Sequence, residues 1–247
     1  MKPVYEIDFS ALSAEEKVIF IHELRDSMKA SFREKPFSVE LLAQTLIFTR
    51  WWNSYKHMAP DEPAPEILGT AIELLWDFQE GKCSLDVFAR FQKSFSDSAL
   101  EILMGDDGEL NEDPESNAFY QKHFQQWEAM SYNVFLSDLC TVLEEAVSKD
   151  ITWDAVENTI YADIGNTMIV FFEPALRKYG NYYKSSYELE CMEKETYDTP
   201  IFSRVIALTQ QDMRTALEEE SIHELRMRYQ SEYLFSPEES AKISDYR

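Results

Sequence analysis

The chain has 247 residues, of which 45% are hydrophobic and 14% aromatic, so it carries enough apolar side chains for a substantial core and is not expected to be disordered. Its 46 acidic residues outnumber 23 basic residues and give a formal net charge of −23 at pH 7. Such a surface repels phosphate groups, so we expect neither nucleic-acid binding nor adsorption to an anionic membrane. It would instead attract a basic protein or a cation.

The N-terminal block, residues 1–104, shows the three- and four-residue spacing of amphipathic helices after a short extended opening. Ser13 and Glu16 form the pattern of a capping box, which predicts the start of the first helix. Two more apolar stripes follow, and Gly81 is expected to end the second of them in the left-handed conformation common after helices. Ser84 then predicts the cap of a fourth helix.

The C-terminal block, residues 117–247, is also predicted to be mostly helical. Thr152 is expected to cap one helix, Thr199 precedes a proline that opens another, and a second capping box begins at Ser236. Residues 178–200 show the least regular pattern and predict a loop or short helices. The chain therefore predicts an all-α fold with about eight mostly antiparallel amphipathic helices, in a compact bundle or an irregular helical array.

Residues 105–116, with the sequence GDDGELNEDPES, separate the two blocks and contain six acids and no base. An EF-hand loop requires glycine at its sixth position and glutamate at its twelfth. In the register that starts at Asp107, these positions hold Glu112 and Ala118, and no other register fits. We interpret the segment as a solvated acidic linker between blocks that pack as one globular unit.

The pentapeptide IHELR occurs twice, at residues 21–25 and 222–226, and invites comparison with zinc sites. A zinc-binding HExxH motif needs a second histidine, but Asp26 and Met227 stand at that position in the two copies. Glu220 and His223 have the Glu-x-x-His spacing of di-iron bundles, which require two such pairs. We therefore predict no metal and no cofactor.

Nucleophilic catalysis has no sequence support, because the chain lacks GxSxG, GxGxxG and GxxxxGK[ST] motifs. We predict no catalytic residue and consider an enzyme less favoured than a binding protein. Glu-x-x-Glu spacing, which could hold magnesium, occurs at Glu190 and Glu193 and again at Glu112 and Glu115. A metal-dependent all-α hydrolase or oxidase that uses clustered carboxylates therefore stays open as an alternative.

Aromatic and acidic side chains are the best candidates for contacts with another protein. Trp52 belongs to the apolar stripe of its helix, so Trp51, about 100° further round, is expected on the flank of that stripe. The segment YGNYYKSSY, residues 179–187, mixes tyrosine with small polar residues as binding surfaces do. The predicted partner-binding residues are Asp106, Asp107, Glu109, Trp51, Tyr182, Tyr183 and Tyr187.

These features favour a protein-binding module, such as an inhibitor or an immunity protein, whose acidic surface steers a basic partner. The profile resembles that of bacterial immunity or antidote proteins, which neutralise basic nuclease toxins with acidic and aromatic residues. The partial repeats leave a structural helical adaptor as a further alternative. Three widely separated cysteines, no signal peptide and no apolar run that could span a bilayer predict a soluble cytoplasmic protein without membrane association.

Overall fold

A computed structural model describes residues 2–57, 66–104, 113–123, 133–168, 173, 175–176, 186–218 and 221–244. Within these ranges the chain is a compact array of α-helices without a strand, which confirms the predicted all-α class. The helices are α1 (Ala14–His22), α2 (Leu24–Phe32), α3 (Phe37–Tyr55), α4 (Glu66–Gln79), α5 (Leu85–Met104), α6 (Pro114–Lys122), α7 (Asn133–Ser148), α8 (Asp154–Asn158), α9 (Ser186–Tyr197), α10 (Pro200–Leu217), α11 (Ile222–Tyr229) and α12 (Pro237–Ser244). The number of helices in the described part of the chain is roughly consistent with the predicted number of about eight.

Local sequence signals set several of the helix ends. Ser13 Oγ accepts a hydrogen bond from the Glu16 N–H at 3.3 Å, and the Glu16 carboxylate accepts one from the Ser13 N–H at 2.8 Å. Ser236 and Glu239 make the same exchange before α12. Gly81 has φ +69° after α4, as the sequence predicts. Both capping boxes and the glycine stop are confirmed.

The opening residues form two 3-10 turns, Val4–Glu6 and Phe9–Ala11, instead of the predicted extended segment. Asp8 stabilises the second turn, because its carboxylate accepts a hydrogen bond from the Ser10 N–H at 3.1 Å. Gln210 of α10 donates to backbone carbonyls of this segment at 2.8 and 2.9 Å. Tertiary packing therefore selects turns where the sequence pattern alone predicted a strand-like stretch.

The α9 helix lies within residues 178–200, where the sequence predicted a loop or short helices. Its inward side is formed by Met192, Glu193, Thr196 and Tyr197, which recur at helical spacing. Only two of these four side chains are apolar. The helical period is therefore present but is hidden from a search for hydrophobic residues.

The α8 helix continues directly into a π-helical stretch, Thr159–Met168. Thr152 Oγ1 accepts a hydrogen bond from the Asp154 N–H at 3.2 Å, but the N-cap of α8 is Trp153, which makes no side-chain capping bond, so the N-cap predicted at Thr152 is wrong by one residue. Trp153 stands between them with φ +65°. The predicted apolar side of this element is buried at Val156, Ile160 and Ile164.

One hydrophobic core contains residues from both sides of the acidic segment 105–116. The α3 helix lies within it and packs against α4 and α7 as well as α10, α11 and α12. The linker role of 105–116 stays a prediction, because residues 105–112 lie outside the described residues. From Asp113 onward the segment belongs to α6, since the Asp113 carboxylate caps this helix by accepting the Glu115 N–H at 3.0 Å.

The placement of the two adjacent tryptophans in α3 differs from the prediction. Trp51 is 1% exposed and contacts the ring of Phe135 in α7, with centroids 6.0 Å apart, whereas Trp52 is only partly buried. The flank position predicted for Trp51 is therefore wrong. The physical reason is that α3 has neighbours on several sides, so its buried surface extends well beyond one stripe.

No helix in the described ranges combines the length and the apolar character needed to cross a membrane.

Candidate protein-binding surface

The structure describes two of the predicted partner-binding residues. Trp51 is buried in the core and cannot contact a partner in this conformation. Tyr187 is 75% exposed and lies in the first turn of α9 rather than in a loop. The others lie outside the described residues: Asp106, Asp107, Glu109, Tyr182 and Tyr183.

Tyr187 belongs to a surface formed by α1 and α9, which pack against each other. Three large apolar side chains are exposed on these helices, namely Ile19 at 55%, Tyr187 at 75% and Leu189 at 41%. We call this the α1–α9 surface. Its exposed acids are Glu15, Glu16, Glu23, Glu188, Glu190, Glu195 and Asp198.

Two lysines belong to the same surface, and both are paired with its acids. Lys194 Nζ lies 3.0 Å from Glu190 and 3.5 Å from Glu15. Lys17 Nζ lies 2.7 Å from Asp198, although the lysine side chain is only 6% exposed. The α1–α9 surface therefore keeps a large excess of negative charge beside its exposed apolar side chains.

An open cavity of about 470 Å³ lies at the edge of this surface. It is bounded by the start of α1, by Glu173, Ala175 and Leu176, by the end of α9 and by the start of α10. Its apolar lining comes from Ala14, Ala175, Leu176 and Pro200, and its polar lining from Glu173, Lys194, Glu195, Asp198 and Thr199. We call this cavity the acidic groove, because three of its side chains are carboxylates and one is basic.

The acidic groove suits the side chain of a lysine or an arginine. Such a side chain has an aliphatic stem that can pack on apolar surface and a cationic end that seeks carboxylates. Lys17 provides an example within the same chain, because its stem is buried, its ammonium binds Asp198 and its Nζ lies 5.6 Å from the centre of the Phe9 ring. The edge of the groove thus already accommodates one ammonium group.

A buried carboxylate holds the two helices of the surface together. Glu193 Oε1 of α9 lies 3.1 Å from His22 Nε2 of α1 and accepts a hydrogen bond from the Tyr161 hydroxyl at 3.1 Å. The neighbouring Tyr197 hydroxyl is buried and finds no hydrogen-bond partner in the described part of the chain. Burial raises the pKa of the Tyr197 phenol above its usual range. This cluster fixes α9 against α1 and the π-helical stretch.

The two IHELR copies attach their helices to neighbouring elements. In the first copy the histidine contacts α9 as above, and Arg25 donates to Asp154 of α8 at 3.1 Å. In the second copy His223 Nδ1 lies 3.0 Å from Glu80 near the end of α4, and Arg226 donates to the same carboxylate at 2.6 Å. The motif is thus used for ion pairs between helices.

Carboxylates do not converge on a metal site within the ranges that the structure describes, where no group of three or more His, Cys, Asp or Glu side chains could hold an ion. Glu190 pairs with Lys194, whereas Glu193 turns inward to His22. Glu112 and Glu220, which complete the other predicted metal-binding spacings, lie outside the described residues.

The sequence names Tyr187 as a partner-binding candidate, which stays a prediction, and it does not indicate the acidic groove. The lining residues come from three separate parts of the chain, and the predicted patterns among them are two helix starts, at Ala14 and at Thr199 and Pro200. Nothing in the local sequence indicates that they meet. No protein-family model matches this chain, and no curated protein and no solved structure matches it either.

Proposed function

We propose that this chain is a protein-binding module of the inhibitor or immunity type, which binds a basic protein partner through the α1–α9 surface and the acidic groove. The observation that carries the proposal is the groove itself, whose apolar lining and three carboxylates match a basic side chain. We further propose that this occurs in the cytoplasm, where Cys83, Cys140 and Cys191, all free thiols, would stay reduced.

Long-range attraction is the first step of the proposed binding. A net charge of −23 raises the local concentration of a basic partner and accelerates its encounter with the chain. This effect acts on the association rate, so the rate constant for association should fall steeply as salt is added.

Short-range contacts then come from the apolar side chains of the α1–α9 surface. Ile19, Tyr187 and Leu189 can be desolvated by a partner, and aromatic residues are enriched among the side chains that dominate interface energies. The surrounding glutamates form a polar rim, whose individual contributions are expected to be small.

A labelled nona-arginine peptide tests the groove directly. We expect the wild-type chain to bind it, and the double variant Glu173→Gln/Glu195→Gln to bind about fivefold more weakly, because two carboxylates beside a partly desolvated guanidinium are lost. Fluorescence anisotropy at low and at physiological salt measures both affinities.

A matched control removes the same charge elsewhere. The double variant Asp86→Asn/Glu224→Gln changes exposed acids of α5 and α11 and should bind the peptide like the wild type. Equal weakening in both double variants would show that the peptide senses only the net charge, and the groove would lose its proposed role.

The natural partner is approached with the tagged chain in a lysate of its native source, washed at low and then at high salt. We expect one basic protein at near-equal stoichiometry, which is lost with the groove variant and retained with its control. A partner that associates at a rate insensitive to salt contradicts the steering mechanism.

A further inference from the structure

A second cavity, of about 260 Å³, lies between α3, α10 and α11, away from the groove residues. Arg50, Arg214 and Arg228 all line it, although the chain has twice as many acids as bases. Glu218 and Glu232 line the same cavity. We call it the arginine pocket, and its walls carry both signs of charge.

Arg50 is held in one orientation by its partners. It is 1% exposed, and its Nη2 and Nε donate to Asp212 at 2.8 and 3.0 Å, while its Nη1 donates to Glu232 at 2.8 Å. Asp212 also accepts the Tyr229 hydroxyl at 2.6 Å. Burial lowers the pKa of the Arg50 guanidinium, but the hydrogen bonds that it donates to Asp212 and the negative charge of that carboxylate outweigh burial and raise the pKa. The wall of the pocket is therefore preorganised.

The other two arginines complete the wall. The Cζ atoms of Arg50 and Arg228 lie 5.3 and 5.7 Å from the centre of the Tyr229 ring. Arg214 donates its Nη1 to the carbonyl of Tyr5, and no carboxylate in the described ranges forms an ion pair with it. Within these ranges its charge is left for water or for a ligand.

The balance of charge decides which ligand class fits. Three arginines face three carboxylates, if the buried Asp212 is counted with Glu218 and Glu232, so the site is neutral as a whole. A free anion would be repelled by a chain of charge −23, and a free cation would meet the arginines. A zwitterion has no net charge, so neither repulsion applies to it, and its two charged groups can pair with the arginines and with the carboxylates.

We propose that the arginine pocket binds a small zwitterion, an α-amino acid or a short peptide of that class. Its carboxylate would lie against Arg214 and Arg228 and its ammonium against Glu218 and Glu232. A cavity of about 260 Å³ lies just below the size range of pockets for drug-sized ligands and suits a molecule of this size. The bidentate geometry of guanidinium groups gives the carboxylate a defined orientation.

Calorimetric titration of the full chain with each standard L-amino acid and with glycylglycine tests the proposal. We expect saturable binding of at least one of them, with a dissociation constant below about 1 mM. Acetate and methylammonium, which each carry one of the two charges, should give no saturable signal in the same range. Binding of acetate as tight as that of the best zwitterion would identify an adventitious ion only and overturn the proposal.

Two exposed residues provide the variants. Arg214→Gln and Glu218→Gln should each weaken zwitterion binding about tenfold, because each loses a charge-assisted hydrogen bond to the ligand. Arg33→Gln and Asp86→Asn remove the same charges from exposed positions elsewhere and should bind like the wild type.

Absence of saturation with every amino acid and with glycylglycine up to about 10 mM would overturn the proposal, as would pocket variants that bind as well as their controls. The result is independent of the acidic groove, because the variant Glu173→Gln/Glu195→Gln should bind the zwitterion with unchanged affinity. Failure of either site can thus be recognised separately.

Discussion

Asp138 and Asp212 are both almost fully buried, but their partners differ. Asp212 forms an ion pair with Arg50. Asp138 in α7 has only neutral partners in the described residues, since it accepts hydrogen bonds from Asn158 Nδ2 at 3.0 Å and from Thr159 Oγ1 at 2.8 Å. Burial raises the pKa of the Asp138 carboxyl to about 6, and these two bonds offset only part of the rise. Asp138 is therefore an acid whose ionisation costs stability.

The substitution Asp138→Asn should stabilise the protein at neutral pH. The pKa of Asp138 in the folded state exceeds the ordinary value of 3.8, so between these two values the folded state binds more protons than the unfolded state. The contribution of Asp138 to the free energy of unfolding therefore falls as pH rises from about 4 to about 6. Asparagine removes this penalty, and we expect a gain of about 2 kcal/mol above pH 7 and little change near pH 4. Urea unfolding at both pH values measures the difference.

The contrasting substitution is Asp212→Asn, which removes the buried carboxylate that pairs with Arg50 Nε and Nη2, leaves the guanidinium its pair with Glu232, and should lower stability at both pH values. If Asp138→Asn instead lost stability by the same amount at both pH values, its hydrogen bonds rather than its charge would dominate.

The sequence predicts individual residues well where their interactions are local. Ser13 and Glu16 are three positions apart, so their mutual hydrogen bonds depend on little beyond the helix itself. Asp138 has no such signal, because its partners lie about twenty residues further on and its environment is set by packing. The same limit applies to Trp51, whose burial depends on Phe135 in another helix.

At the scale of elements, the π-helical stretch Thr159–Met168 explains one of the few glycines of the chain. A Cβ atom on Gly165 would lie 3.3 Å from the carbonyl oxygen of Ile160 and 3.5 Å from ring atoms of Tyr197 and Phe202. The stretch thus approaches α9 and α10 at a point where a side chain has almost no room.

The substitution Gly165→Val should lower the free energy of unfolding by about 1–3 kcal/mol, because the added methyl groups overpack the contact with Tyr197 and Phe202. Gly165→Ala should have a smaller effect, since the close contact partly offsets the usual gain from replacing a helical glycine. Denaturant unfolding with circular dichroism measures both. A valine variant as stable as the wild type would mean that the helix shifts away from its neighbours.

The sequence predicts helices better than it predicts their boundaries. Ile21, Leu24, Met28 and Phe32 form one continuous apolar stripe and are all buried, yet the helix breaks between α1 and α2 at Glu23. The spacing of the apolar residues does not indicate this break, because the side chains before and after Glu23 still face the same core. In α9 the reverse holds, since a buried glutamate interrupts the apolar pattern of a continuous helix.

At the scale of the molecule, helical spacing predicts the all-α class and composition gives the charge, whereas the candidate site depends on how distant segments meet. The groove joins Ala14, Leu176 and Asp198, which are far apart in the sequence. Their apolar and acidic character is visible in the sequence, but their proximity follows only from the packing of α1 against α9. The class of partner therefore stays a prediction from the sequence, and the sequence does not indicate which surface would bind it.

The net charge of −23 should make the folded state more stable in salt. Like charges are closer together in the folded chain than in the unfolded chain, so their repulsion favours unfolding, and salt shortens the Debye length from about 30 Å at 0.01 M to about 3 Å at 1 M. We expect sodium chloride to raise the melting temperature by about 2–5 °C across this range. Local ion pairs act in the opposite direction, above all those of Arg226 with Glu80 and Asp77, which salt weakens. A melting temperature that falls with salt would show that these pairs outweigh the repulsion.

Binding of nona-arginine should weaken in the same titration, so that one molecule shows opposite salt responses for its own stability and for its attraction to a basic partner.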